Sequence, residues 1–532
     1  MMPIFNYLVR FGLLLLRVII VPVTRLAQIG QYKLLPPIGN TLVLNSGKKL
    51  VQMIKNKEVS SEEVVRAFID RCKQVNPILN AIVQDRFDAA IKDAQLVDRL
   101  ISKGDDVSKY PLLGLPITVK ESIAVEGLSN NAGVVCPEGQ HIATSDAFSV
   151  ECVKKAGAIP ILVSNTPELC MNWETYNKVS GTTRNPYDTR RTPAGSSGGE
   201  AALISSGGSI MGIASDIGGS LRLPAMFTGI FGHKPSPGVV SPAGHVPDCI
   251  SKDWYKFFTI GPMVRYAEDL PILLKAISYP DGPNLMLDQS VDINKLNIFY
   301  MENDGGSIIV DDISECVSTA MKKAITGLEN KFKIEIKKVS IDKMKYAFNF
   351  AVSILLGIDG VENIYTDKGN PEKMKNVYTK FMKAMFCSSN VTIGPTLYGP
   401  IKRILGDVSD DKKRKIMQCN KELQDEFQNL LGSNGVFLYP TFPNVAHFHK
   451  EGLGNFTNAL YMCIFNTLGL PVTNCPLGLN SDGLPVGIQI VANPLQDRLT
   501  IAVAKELEEI MGGWVPPPFQ EIKTEEQLLT AH

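Results

Sequence analysis

The chain has 532 residues, 44% of them hydrophobic and 20% charged, a globular composition that excludes wholesale disorder and collagen-like repeats. Lys plus Arg and Asp plus Glu both number 54, so the net charge is zero and gives no electrostatic case for nucleic acid as a partner. Ten cysteines, scattered singly without a CxxC pair, exclude a disulfide scaffold and show no zinc pattern.

The charge is uneven along the chain. The first 57 residues hold eight basic side chains and no acidic one, so they carry +8 and the remainder −8. That asymmetry suggests an N-terminus facing something anionic, such as a membrane surface. Residues 4–23 read IFNYLVRFGLLLLRVIIVPV. About 20 apolar residues in a helix would span a bilayer. Arg10 and Arg17 interrupt the run seven positions apart, which places them about 20° apart on a helix. The spacing predicts an amphipathic helix with a basic stripe, ended by Pro22. An interfacial anchor is favoured over a single-pass helix with snorkelling arginines, and both over a cleaved signal peptide. The protein is therefore expected on a membrane, with an anchor over 1–30 and one large domain over 31–532.

Residues 61–75 have helical spacing with Ser60 or Ser61 as cap, and 84–103 read as a second helix. The short apolar runs at 113–119, 158–164, 435–440 and 486–492 read as buried strands. Helices between buried strands indicate an α/β domain. Residues 372–386 place Val377, Tyr378, Phe381, Met382, Met385 and Phe386 at helical spacing among lysines. The favoured reading is a surface helix with its apolar face in the core, and the other a membrane contact or lipid-site wall.

The most informative stretch is 192–224, TPAGSSGGEAALISSGGSIMGIASDIGGSLRLP. No GxxxxGK is present, so a phosphate loop is not supported. Two glycines before Ser220 let backbone N–H groups converge on one point, an arrangement suited to an oxyanion hole beside a nucleophile. A second serine cluster, Gly195-Ser196-Ser197-Gly198-Gly199, lies 24 residues earlier. A serine needs a base, and no histidine lies within the segment. Lys120 ends the apolar run Leu115–Val119; buried there, it would be neutral and basic near pH 7, whereas the alternative pairs it with Glu121.

Together these segments resemble the amidase signature family. The resemblance rests on Pro116-Ile117-Thr118-Val119-Lys120, on Gly195 to Gly199, and on Asp216-Ile217-Gly218-Gly219-Ser220-Leu221-Arg222-Leu223-Pro224, and runs over most of 48–515. FGHKPSPGVV at 231–240 and DGLPVGIQIVA at 482–492 are similar to animal fatty-acid amide hydrolases of the second type. Ala194 departs from the family, where glycine is frequent.

The resemblance implies a large twisted mixed β-sheet with helices on both sides and a Ser–Ser–Lys triad. Ser220 would be the nucleophile, Ser196 the relay after a cis peptide bond, and Lys120 the base. Amides of Ile217, Gly218, Gly219 and Ser220 would form the oxyanion hole. Ser197, Asp216 and Arg222 would support the loops, and Cys170 and Met171 would line the acyl site. No metal or organic cofactor is implied. The expected protein is a membrane-bound serine hydrolase cleaving fatty-acid amides, with homodimerisation plausible by resemblance. Alternatives are an amidase acting on another amide or an ester, including a soluble amide as in the subunits serving tRNA transamidation, and a lipid-binding relative without catalysis. A nucleophile elbow at Ser197 with His233 as base is a further one.

Overall fold

The computed structural model describes residues 2–136, 139–367, 370–374, 376–386 and 388–520. Eleven strands form one sheet in the spatial order Ile82–Asp85, Ile159–Ser164, Pro116–Lys120, Met211–Asp216, Thr259–Val264, Phe231–Lys234, Val472–Leu479, Pro485–Ala492, Gly435–Pro440, Asn297–Tyr300 and Lys337–Lys338. The sheet is mixed: Ile159–Ser164, Pro116–Lys120 and Met211–Asp216 run parallel, and the pairings from Met211–Asp216 through to Gly435–Pro440 are antiparallel. Every residue of Pro116–Lys120, Met211–Asp216, Thr259–Val264 and Pro485–Ala492 is buried. Successive side chains point to opposite faces, so both faces of the sheet are covered. The four predicted strands are all present.

The helix predicted at 61–75 runs Ser61–Leu79. Ser60 caps it: its hydroxyl accepts from the Glu63 amide, and the Glu63 carboxylate accepts from the Ser60 amide. The second helix begins later than expected, at Phe87, because Ile82–Asp85 pairs antiparallel with Ile159–Ser164 and completes the sheet edge.

Two predicted segments differ. The helix expected over 372–386 is confined to Val377–Met385, and Asn370–Met374 pairs instead with Thr366–Asp367; Lys375 lies outside the described residues. Its apolar side chains are not in the core: Val377 is buried, but Tyr378, Met382, Met385 and Phe386 are exposed. The N-terminal helix runs Met2–Ala27, past Pro22. Proline removes its own donor only, and the Thr24 hydroxyl donates to the Ile20 and Val21 carbonyls in the same turn.

The basic stripe of that helix is turned toward the body of the protein. Arg10 and Arg17 both pair with Asp311, at 2.6 and 2.7 Å, and Arg17 Nε donates to the Gly454 carbonyl. Arg25 pairs with Glu451 and lies over the Phe448 ring. The helix is thus fastened along its length to the body, with Tyr7, Leu8, Phe11, Leu15, Val18 and Ile19 facing outward. Burial pushes the Asp311 carboxyl up, but hydrogen bonds from Arg17, Asn458 and Arg10 outweigh it and hold it at about 2.

Asp311→Ala should release this helix. Trypsin should then cut after Arg10 or Arg17 much faster, with the melting temperature of the body unchanged; equal cleavage rates would show that the pairs do not hold it. Because Asp311 is depressed in the folded state, its contribution is full above the ordinary aspartate range near ~3.9 and is lost as pH falls through about 2.

Candidate active site

Three parallel neighbours end on one side of the sheet. Pro116–Lys120 ends in Lys120, Met211–Asp216 ends in Ser215 and Asp216, and Asn165 and Thr166 follow Ile159–Ser164. Open α/β sheets bind ligands outside such carboxyl ends.

Lys120 is fully buried, with Nζ 2.6 Å from Ser196 Oγ and 3.0 Å from Ser215 Oγ. Burial holds its amine below the ordinary lysine range, against the opposing pull of Cys170, Asp216 and Glu200. The pairing of Lys120 with Glu121 does not form. Successive strand residues face opposite ways, and Glu121 accepts from the Ser129 hydroxyl and the Asn131 amide.

Ser196 follows a cis Gly195–Ser196 peptide bond, and its carbonyl accepts from Thr166 Oγ1 at 3.0 Å. A Cβ on Gly195 would stand 2.7 Å from the Asn172 carbonyl oxygen, so only glycine fits. Ala194 adopts φ 65°, a left-handed conformation that glycine adopts readily. The Ser197 amide donates to the Ser220 carbonyl, and its hydroxyl lies 3.5 Å from the Ser215 carbonyl.

The turn carrying Ser220 wraps around the Asp216 carboxylate. Asp216 accepts from the Gly219 amide at 2.8 Å, from the Leu221 amide at 3.2 Å, and from Arg222 through two nitrogens at 3.1 Å. Arg222 also donates to Asn466, Gln489 and the Met462 carbonyl, so this buried pair is fully hydrogen-bonded. Burial pushes the Asp216 carboxyl up, and Arg222 overrides it and holds it far below the usual range. Trp173 Nε1 donates to the Gly218 carbonyl from the other side. Of the four amides anticipated for the oxyanion hole, that of Gly219 is turned inward onto Asp216. Those of Ile217, Gly218 and Ser220 have no acceptor among the described residues. Nor is the Ser220 hydroxyl hydrogen-bonded among them; it faces the same cavity as Ser196.

That cavity has a volume of about 740 Å³. Buried Ser196 and Ser220 form its floor, and Cys170 and Met171 line it. Ile19 and Val23 of the N-terminal helix and Met385 of the Val377–Met385 helix also line it; being exposed, they mark its rim. Leu169 and Cys170 have φ of 50° and 58°, and this bend sets Cys170 beside Lys120 and His245. Burial raises the Cys170 thiol, and its neighbours, Lys120 foremost, draw it down to about 5.

The sequence reading did not find Ser215, Thr166, Trp173 or His245. Ser215 immediately precedes the Asp216 motif, the one local signal available; the others carry none. The elbow reading fails, because His233 lies between Thr473 and Asp497, bonded to both and absent from the cavity wall.

Residues 63–501 match the amidase family. The chain is 42% identical over 501 residues to fatty-acid amide hydrolase 2-A of Danio rerio, covering 92% of this chain and 93% of that protein. It is 41% identical over 490 residues to fatty-acid amide hydrolase 2 of Homo sapiens, covering 90% and 92%. A solved fatty acid amide hydrolase superposes with a TM-score of 0.70 at 22% identity, covering 90% of this chain and 87% of the other, which shows a shared fold.

Arg222→Met should leave Asp216 charged and unpaired in the interior, costing about 3–5 kcal/mol. Urea denaturation reads this directly; a midpoint equal to wild type would show that the pair is not what holds the turn.

Proposed function

The chain belongs to the amidase family, and on that premise we propose that it is a membrane-associated hydrolase of fatty-acid amides working through Ser220, Ser196 and Lys120. It is a hydrolase acting on amides. The observation that carries the triad is the buried Lys120 amine, 2.6 Å from Ser196 and with no carboxylate in ion-pair contact among the described residues. A lysine so placed is neutral over more of the pH range, and only the neutral form accepts a proton.

In this reading, Ser220 Oγ attacks the amide carbonyl carbon. Its proton passes to Ser196 Oγ, and the Ser196 proton passes to Lys120 Nζ. The amides of Ile217, Gly218 and Ser220 stabilise the oxyanion. As the intermediate collapses, the C–N bond breaks and the Lys120 proton returns through Ser196 to the leaving nitrogen. Water then attacks the ester carbonyl, giving up its proton along the same relay. The fatty acid departs and Ser220 regains its proton. Each step needs one acid and one base, and the chain supplies both.

The fatty acyl group is supported by the names of the two relatives above 40% identity and by the cavity. Its wall includes Phe348, Val352, Leu355, Leu397 and Phe456, an apolar lining suited to an acyl chain. The N-terminal helix is long and apolar enough over Asn6–Ala27 to cross a membrane. Lying along the body with its arginines turned inward, it fits an interfacial anchor over 1–30 on a single catalytic domain over 31–532.

A fluorophosphonate probe should form an adduct on Ser220, located by mass spectrometry. Lys120→Ala should abolish the labelling and lower kcat by about 10²–10⁴-fold; a labelled, active Lys120→Ala protein would remove the lysine base. An adduct on no serine, in a folded sample, would leave the lipid-binding alternative. Deleting residues 1–28 removes Ile19 and Val23 from the rim. It should abolish binding to phosphatidylcholine vesicles and raise KM for long-chain amides more than for short ones. Retained vesicle binding would assign attachment to the Val377–Met385 helix.

A further inference from the structure

His245 is buried against the cavity and takes no part in the relay described above. Its ring nevertheless meets that relay. Nδ1 lies 3.0 Å from the Pro247 carbonyl oxygen, Nε2 lies 3.0 Å from Ser215 Oγ, and Ser215 Oγ lies 3.0 Å from Lys120 Nζ. Ser122 Oγ is 3.1 Å from the same Nε2.

The direction of each bond follows from one atom. A carbonyl oxygen only accepts, so Nδ1 carries the ring hydrogen. In a neutral imidazole Nε2 is then an acceptor. Ser215 accordingly donates its single hydroxyl hydrogen to Nε2, while Ser122 has the neighbouring Cys170 sulfur as a second acceptor. With its hydrogen committed, Ser215 meets Lys120 only as an acceptor, and Lys120 must direct an N–H toward it. A neutral amine has one lone pair. With an N–H on Ser215, that lone pair is not taken up by the Ser215 hydrogen and stays open to Ser196, where the proton has to arrive.

We infer that His245 is a positioning residue which, through Ser215, fixes the direction of the hydrogen-bond chain at Lys120 so that the amine lone pair stays open to Ser196. This rests on the Ser220–Ser196–Lys120 reading. The ionisable groups facing the ring are Cys170 and, through Ser215, Lys120; Phe258 covers it at 4.6 Å between centroids. Were Nε2 unable to accept, the Ser215 hydrogen could turn to Lys120 and occupy the lone pair.

The test is kcat and KM for a long-chain fatty-acid amide in the wild type and in His245→Leu and His245→Gln proteins, with fluorophosphonate labelling of each. His245→Leu should lower kcat on the order of 10²-fold with KM unchanged. His245→Gln, whose amide can still accept from Ser215, should recover most of kcat. Wild-type kcat in His245→Leu, or a kcat in His245→Gln no higher than in His245→Leu, overturns the inference. An adduct elsewhere than Ser220 in the wild type overturns the triad and this inference together. An adduct on Ser220 with any of the preceding failures overturns this inference alone.

Discussion

A lysine amine taken out of water with hydroxyl groups for partners is the constraint around which this chain is arranged. Burial alone would drive Lys120 neutral, but a carboxylate in contact would restore its charge. Among the carboxylates Asp216 pulls hardest toward a charged amine; it directly follows Ser215, one of the two hydroxyls bonded to the amine. Its charge is answered instead by Arg222, Asn466 and two backbone amides. The buried ion pair thus does two things: it shapes the Ser220 turn, and it keeps the Asp216 field from holding a proton on Lys120. Glu121 is kept away by strand alternation, its carboxylate taken by Ser129 and Asn131 on the opposite side.

The sheet makes this separation possible. Adjacent parallel strands put Lys120 and Ser215 at the same level, and the antiparallel partner Thr259–Val264 covers the far side of Met211–Asp216. Ser196 and Ser220 come from loops that the strand ends hold, through Thr166 on one carbonyl and Trp173 on another. The strands therefore carry Lys120 and Ser215, while turns carry Ser196 and Ser220.

The strands were legible because each is a short apolar run buried on both faces, and the helix at 61 because its capping box is local. Lys120, Ser196 and Ser220 were legible through their motifs, not through any physical pattern that selects one lysine among many. Features made by distant residues were not legible. Asp311 meets Arg10 and Arg17 across about three hundred residues, so the sequence showed the stripe on the first helix and not the carboxylate it meets. His245 and Trp173 reach the site only through tertiary packing. The helix at 377–385 misled for a different reason: helical periodicity tells which residues share a face, and says nothing of what lies opposite.

The first helix is joined to the body through Asp311, the Gly454 carbonyl and Glu451, points spread along more than four of its turns. A single tether would leave the catalytic domain free to tumble beneath whatever surface the helix adheres to. Several fixed points remove that freedom. Adhesion then sets the compass heading and tilt of the whole sheet as well as its distance, so that every copy on a surface presents the same rim in the same attitude.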